Sequence, residues 1–442
     1  MKKFRKTFIR PIFAAFFLIF PSFYSFSELV SSSVYGYSID FPEMSEISDM
    51  TEDESSILFT HKLLPVQTAI KVWPQENFQN STQALYKTLE KLSATGEIST
   101  AKWRNRECAV SKITISEKAL GTKMRGWGTS IPLPDKKSFL TVISFAPEDK
   151  AYNCEQFILS ILDSIMVDRG SFKESGLITA FAFPKAGQKN ITLTIAGKKI
   201  NTVLDKDDSE ANQFVVDREF SVFKLFVNQN CWKEAWQRFY RIIAKDGMGR
   251  TKRAAFDISN ALTEDCQKES PDFPEAALAQ KLLTWTQNFN YERKSSSSDR
   301  ADFTNIPATL EGAGSDCDSR SMLLMLLYKN LGLDSIMFIS TQYSHAMVGI
   351  NLPGKQGQTY SLDGKEYLFG ETTAKNLTFG MIAKDMQDRK NWIPVELYEK
   401  SKRKTIFSLL AKTTHVLKER TLLLELKRQE ACRAEPFLLI LN

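Results

Sequence analysis

The residues with the clearest chemical potential are a cysteine, a histidine and a glutamate, in that order along the chain. Cys317 lies in Gly314-Ser315-Asp316-Cys317-Asp318-Ser319, a short polar turn. An apolar-periodic run, Met322 to Leu327, follows directly. His345 stands in Ser344-His345-Ala346, and Glu371 in Glu371-Thr372-Thr373. A thiol becomes a nucleophile when a neighbouring base takes its proton. That base works best when a third group fixes its orientation. These three residue types in this order suit nucleophile, base and orienter.

The elements expected to carry them support that reading. Asp316 or Ser315 can cap the helix that follows, satisfying its free N–H groups. Leu323, Leu324, Leu326 and Leu327 should anchor that helix in a core, and Gly332 suits its end. A cysteine at a helix N-terminus sits near partial positive charge, which lowers reactive thiols to about 3.5–7.5. The same N–H groups can donate to a developing oxyanion. Asp318 opposes thiolate formation if it faces the sulfur; otherwise it favours the helix dipole or pairs with Arg320. Ser335–Thr341 reads as a buried strand and His345–Ile350 as the next. Asp363-Gly364 reads as a hairpin turn, and 365–373 as a third strand bearing Glu371. Asp363 is a second candidate orienter, though its sequence suits a turn.

The segment from about Pro274 to Ile382 resembles the transglutaminase-like superfamily of papain-like cysteine enzymes. The matching pieces are Leu283–Tyr291 (LTWTQNFNY), Pro307-Ala308-Thr309-Leu310, Gly314–Asp318, Ser344-His345-Ala346 and Glu371-Thr372-Thr373. The resemblance implies Cys317 as nucleophile, His345 as base and Glu371 as orienting acid. It departs from the family pattern in the extra Ser315 and in Glu371, where the family has aspartate. Trp285 is expected in packing, Tyr291 in packing or at the cleft, and Gln287 is not assigned a role by its spacing. The implied activity is acyl transfer or hydrolysis at an amide, as a peptidase, amidase or protein cross-linker. The substrate would be a peptide or protein amide, peptidoglycan among the options. The alternative is an inactive envelope protein that uses the same fold for binding.

The rest of the chain bounds these options. Lys2, Lys3, Arg5, Lys6 and Arg10 precede an apolar stretch, Ile12–Phe20, and then Pro21 and Ser25-Phe26-Ser27. That is the pattern of a signal peptide over 1–27, its core far short of the about 20 residues that span a bilayer. The alternative is an uncleaved anchor. The expected location is periplasmic or extracellular. The chain carries +6 overall. Five of those positive charges lie in 1–27 and a net five in 401–442, leaving about −4 on residues 28–400, which gives no case for nucleic-acid binding. Residues 401–442 repeat apolar pairs every seven residues (Leu409/Leu410, Val416/Leu417, Leu423/Leu424) between basic side chains. This reads as a basic amphipathic helix for docking on the core, a partner helix or an anionic membrane surface.

Only three histidines occur, His61, His345 and His415, and no Cys-x-x-Cys. A zinc site is not expected, nor any cofactor. His61 and His415 have no matching companions and are expected at the surface. The pairs Cys108/Cys154 and Cys231/Cys266 could form disulfides in an exported chain.

The expected fold class is α+β. Residues 28–170 form an antiparallel sheet with helices: strands near Tyr35–Pro42, Thr68–Trp73, Cys108–Ser116 and Phe139–Phe145, and helices at Ser81–Leu92 and Cys154–Val167. The opening Tyr-x-Ile-x-Phe-Pro and closing ILDSI helix resemble the Mog1 and PsbP-like proteins, which implies binding or scaffolding. Residues 171–230 are expected to be β-rich, with a hairpin around Ala196-Gly197 and alternation continuing through Phe214–Phe226. Residues 231–400 form the transglutaminase-like domain, opening on a helix with Trp232, Trp236, Phe239, Tyr240 and Ile243 on one face. Separate helices are expected at Arg253–Leu262 and from Pro274.

Overall fold

The central strands of the first half are buried along nearly their whole length rather than on alternate residues, because helices cover both faces of their sheet. Ser138–Pro147 is buried at nine consecutive positions. In the computed structural model, which describes residues 28–134, 137–293, 300–352, 354, 356–398 and 404–405, this strand is central to an antiparallel sheet. The order is Ser45–Met50, Ser56–His61, Gln67–Pro74, Ser138–Pro147, Met124–Leu133 and Arg106–Ile115, with Ile98–Trp103 and Ala94–Thr95 both on the last strand. Helix Ser81–Lys91 lays Leu85 and Leu89 on one face, against Leu58, Ala69 and Ile143. Helix Glu148–Asp163 covers the other with Phe157, Ile158, Ile161 and Leu162 against Ile57, Ile70 and Val142. Strands with both faces covered read as continuous apolar runs, whatever their direction.

The hairpin Gln188–Ile195/Lys198–Asp205 turns at Ala196-Gly197, where both residues have positive φ (50° and 80°). That geometry matches the twist of its strands. The alternation expected through Phe214–Phe226 is instead a helix, Asp208–Lys224. Its buried Ala211, Val215, Val216, Arg218, Glu219 and Val222 recur with helical spacing, and Asp208 and Glu210 favour its N-terminus. Aromatic and β-branched residues gave it a strand-like appearance, but packing decides. The region 171–230 is therefore mixed rather than β-rich.

Residues Trp232–Glu269 form one 38-residue helix where two were expected. It continues through Gly247, where an added Cβ would lie 2.8 Å from Leu326 Cδ1. The glycine lets the helix Cys317–Asn330 approach closely. Helix Pro274–Gln287 begins at proline, as its sequence indicates. An antiparallel five-stranded sheet completes the second half, in the order Thr359–Leu362, Lys365–Gly370, His345–Ile350, Ser335–Ser340, Ile393–Val395. Helix Cys317–Asn330 packs on it through Leu323, Leu324 and Leu327, all fully buried. The fold class is α+β throughout.

The halves meet through buried charge. Arg218 lies 2.8 Å from Asp163, Arg241 2.8 Å from Asp40, and Arg238, which also pairs with Glu219, donates to the Asp40 carbonyl at 2.8 Å. Tyr398 donates to Asp40 at 2.7 Å. No helix among the described residues is long and apolar enough to cross a membrane. The tail expected to form an amphipathic helix lies outside the described residues except for Lys404–Thr405, which pair with Val30-Ser31. The expected signal segment 1–27 and His415 also lie outside them.

Candidate active site

Cys317 is the first residue of its helix. The Asp316 carboxylate caps that helix, accepting from Ser319 N at 3.1 Å and Ser319 Oγ at 2.9 Å. Gly332, at φ 82°, follows the helix end with its N–H on the Lys329 carbonyl. The cysteine is 4% exposed.

His345 opens the strand that pairs with Ser335–Ser340, directly after Ser344 at φ 46°. The register of the next strand pairs Val348 with Gly370 and Gly349 with Phe369. Extending it by one residue sets Glu371 across from Met347, on the same face as His345. Glu371 Oε2 accordingly meets His345 Nε2 at 2.8 Å. Its other oxygen accepts from Thr373 N (2.7 Å) and Thr373 Oγ1 (2.6 Å). Burial alone would raise the Glu371 pKa, but the His345 and Thr373 contacts outweigh it and bring it down to about 2. A carboxylate that stays charged makes Nε2 the protonated nitrogen, which leaves the Nδ1 lone pair free.

His345 and Glu371 are thus in direct contact, and Cys317 lies beside them through the backbone. The Ala346 N–H, next to His345, faces the Cys317 sulfur. The backbone around Glu371 is fixed by two buried side chains. Gln287 donates from Nε2 to the Glu371 carbonyl at 2.8 Å and to the Leu377 carbonyl at 3.0 Å. Arg320, fully buried, donates to the carbonyls of Thr372 (3.2 Å) and Phe289 (3.0 Å). Arg320 therefore does not pair with Asp318. Gln287 positions the acid strand, its amide nitrogen donating to two backbone carbonyls. Asp363 is a turn residue at φ 49°, in the hairpin beside Gly364.

The thiol itself departs from expectation. Cys317 Sγ donates to Asp318 Oδ1 at 3.3 Å, and the Tyr240 hydroxyl donates to the other oxygen of the same carboxylate. Burial, then Asp318 and Asp316, push the Cys317 pKa up rather than down. The helix terminus does not outweigh two flanking carboxylates and desolvation.

Sequence reasoning missed Tyr240 and Trp392. Tyr240 sits in the aromatic stripe of the long helix, buried as that stripe predicts, and its hydroxyl finds Asp318. A buried tyrosine usually needs such a partner, which was the available signal. Trp392, 2% exposed, lies edge-on to the His345 ring at 6.4 Å and packs with Tyr343 at 5.3 Å. Nothing in its local sequence marks it. Tyr291 pairs its backbone with Ser315 and stays half exposed next to the site.

His61, expected at the surface, is a packed structural residue. Its Nε2 donates to the Glu43 carbonyl at 2.8 Å and its Nδ1 accepts from Leu64 N at 3.0 Å. Burial against Phe157 lowers its pKa to about 4. The five described cysteines are free, so neither expected disulfide is formed and Cys317 is unpaired.

No family model matches the chain, and no curated protein matches it. Among solved structures, the PsbP protein of the cyanobacterium Synechocystis matches at 11% identity and TM-score 0.25, covering 31% of this chain and 90% of its own. The Saccharomyces cerevisiae Ran-binding protein Mog1p matches at 9% identity and TM-score 0.24, covering 30% and 90%. A Bacteroides thetaiotaomicron protein matches at 12% identity and TM-score 0.21, covering 47% and 73%. The first two are in line with the weak N-terminal likeness read from sequence. Scores this low carry no functional inference to the present chain.

Proposed function

We propose that this protein is a thiol enzyme of the cell envelope, of the transglutaminase-like kind, acting on peptide or protein amides. The observation that carries the reading is the 2.8 Å contact between His345 Nε2 and Glu371 Oε2. It leaves Nδ1 free on the histidine whose neighbour, Ala346, faces the Cys317 sulfur. The proton on Sγ passes to Nδ1, and the sulfur attacks the amide carbonyl carbon. The C–N bond breaks as the imidazolium returns the proton to the leaving amine. Water then attacks the thioester to give an acid, or a second amine attacks to give a new amide. Peptidoglycan and envelope proteins supply such amides, and hydrolysis is the favoured outcome. The basic C-terminal tail would add a membrane-surface or partner-helix contact.

The test is capture of the thioester. Peptide libraries and peptidoglycan fragments are incubated with wild type, Cys317→Ala and His345→Ala, and the protein mass is followed. The reading expects an acyl adduct on the Cys317 peptide and product release, with both lost in Cys317→Ala. Turnover that survives Cys317→Ala would sink it. The hydrogen bond from Cys317 to Asp318 favours a second reading, in which the fold is an inactive binding module. On that reading, wild type forms no adduct with any fragment but retains one by affinity.

A further inference from the structure

The residue that touches the nucleophile is not the base but its own neighbour. Cys317 Sγ donates to Asp318 Oδ1 at 3.3 Å, and Tyr240, 78 residues earlier on the long helix, donates to Asp318 Oδ2. Tyr240 is 3% exposed and is itself fixed by ring contacts to Phe239 at 4.9 Å and Phe303 at 6.2 Å. The carboxylate is thus held from one side by a packed phenol while it faces the thiol with the other.

We infer that Asp318, clamped by Tyr240, is a positioning residue that retains the Cys317 thiol in the resting protein. The thiol must turn from Asp318 Oδ1 toward His345 Nδ1 before it can act. The inference rests on the Cys317–His345–Glu371 reading and adds a gate to it. In the turn, the Sγ–H···Oδ1 hydrogen bond breaks. The proton then moves from Sγ to Nδ1, giving a thiolate and an imidazolium, with no other reactant needed.

The groups facing the thiol fit this division. Asp316 and Asp318 flank it on its own helix and raise its pKa together with burial. Tyr291 and Arg293 face it from the segment after Pro274–Gln287, and Arg320 from one helical turn on. Asp302 adds negative charge toward both aspartates, and His345 faces Asp318. Arg293 is partly neutralised by Asp302 at 3.4 Å, and Arg320 is committed to carbonyls. The positive charge near the sulfur is therefore largely committed elsewhere until the imidazolium forms.

The test follows alkylation of Cys317 by iodoacetamide across pH 5–10, resolved by peptide mass spectrometry so that the other cysteines are read separately. Wild type should react slowly at pH 7, with its midpoint above the ordinary thiol value of about 8.5. Asp318→Asn keeps the shape and removes the charge. Its profile should move down by about one unit or more, which is about tenfold faster at pH 7. Tyr240→Phe keeps the charge and releases the clamp; it should raise the pH 7 rate severalfold, and it covers the case in which Asp318→Asn does not fold. Adding His345→Ala to Asp318→Asn should remove the gain. Unchanged profiles in Asp318→Asn and Tyr240→Phe would overturn the clamp, and a gain that survives loss of His345 would overturn the turn toward Nδ1. Alkylation requires no turnover. A protein that alkylates as expected but acylates with no fragment would therefore disprove the enzymatic reading alone.

Discussion

At the scale of single residues, Glu371 shows why geometry matters more than the identity of the acid. The extra methylene relative to aspartate is accommodated by splitting the carboxylate: one oxygen on His345, the other on Thr373. Glu371→Gln retains the length but not the charge that stabilises a protonated imidazole. Turnover should fall by about 10²–10⁴-fold with KM little changed, because the charge matters only once the imidazolium forms. Steady-state kinetics on the substrate found by thioester capture would read this. The same carboxylate has a pH signature. Its folded pKa of about 2 lies below the unfolded value near 4.5, so its contribution is present above pH 4.5 and is lost as pH falls through about 2. That is on the order of 3 kcal/mol. Urea unfolding between pH 5 and 2 should show this loss in wild type and less of it in Glu371→Gln. The His345–Glu371 contact was legible in sequence because the two residues fall on neighbouring expected strands. The Asp318–Tyr240 contact was not, because it joins residues 78 apart whose individual roles, helix start and aromatic stripe, were already accounted for.

At the scale of elements, local pattern succeeded where the apolar spacing was plain and failed where aromatic and β-branched residues or a glycine blurred it. Helix Ser81–Lys91 and the Ala196-Gly197 hairpin could be read because their periods are undisturbed. Helix Asp208–Lys224 has a stripe that includes charged Arg218 and Glu219 and is shared between two cores, Val215 and Val216 entering one and Val222 the other. The long helix was expected in two pieces with 244–252 unassigned between them, yet Gly247 there serves a close approach and the helix runs on. Two effects compete in Gly247→Ala. Alanine favours a helix over glycine by about 1 kcal/mol. Its Cβ, however, would meet Leu326 at 2.8 Å inside a fully buried contact, and overpacking of that kind costs about 1–3 kcal/mol. The clash should win, giving a modest net destabilisation in urea melts, and Gly247→Val should cost clearly more. A stabilised Gly247→Ala would mean that the crossing with Cys317–Asn330 can relax without penalty.

At the scale of the whole molecule, the joint between the halves carries buried ion pairs. Asp40 lies on a strand of the first half with no exposed surface, and accepts from Arg241 Nε at 2.8 Å, Arg241 NH2 at 3.1 Å and Tyr398 at 2.7 Å. Its backbone carbonyl also accepts from Arg238. Burial would raise its pKa, but Arg241 and Arg238 hold it below the ordinary range. Such an assembly adds little net stability over an apolar joint, yet removing one partner strands charge and costs about 3–5 kcal/mol. Asp40→Asn keeps the volume and leaves Arg241 without its anion, while Arg238 keeps only Glu219. The core of the first half already takes in Val222 and Ala235 from the two helices beyond it and Phe226 from the turn between them, so the halves should unfold together. Wild type should therefore show one urea transition by both far-UV circular dichroism and tryptophan fluorescence. In Asp40→Asn that single transition should move to lower urea by an amount matching the same 3–5 kcal/mol scale. Cys317 alkylation should then become faster below the midpoint, because opening the joint frees the long helix that holds Tyr240 against Asp318. Loss of the first half's signal with Cys317 still protected would show instead that the two halves are energetically separate and that the buried charges only align them.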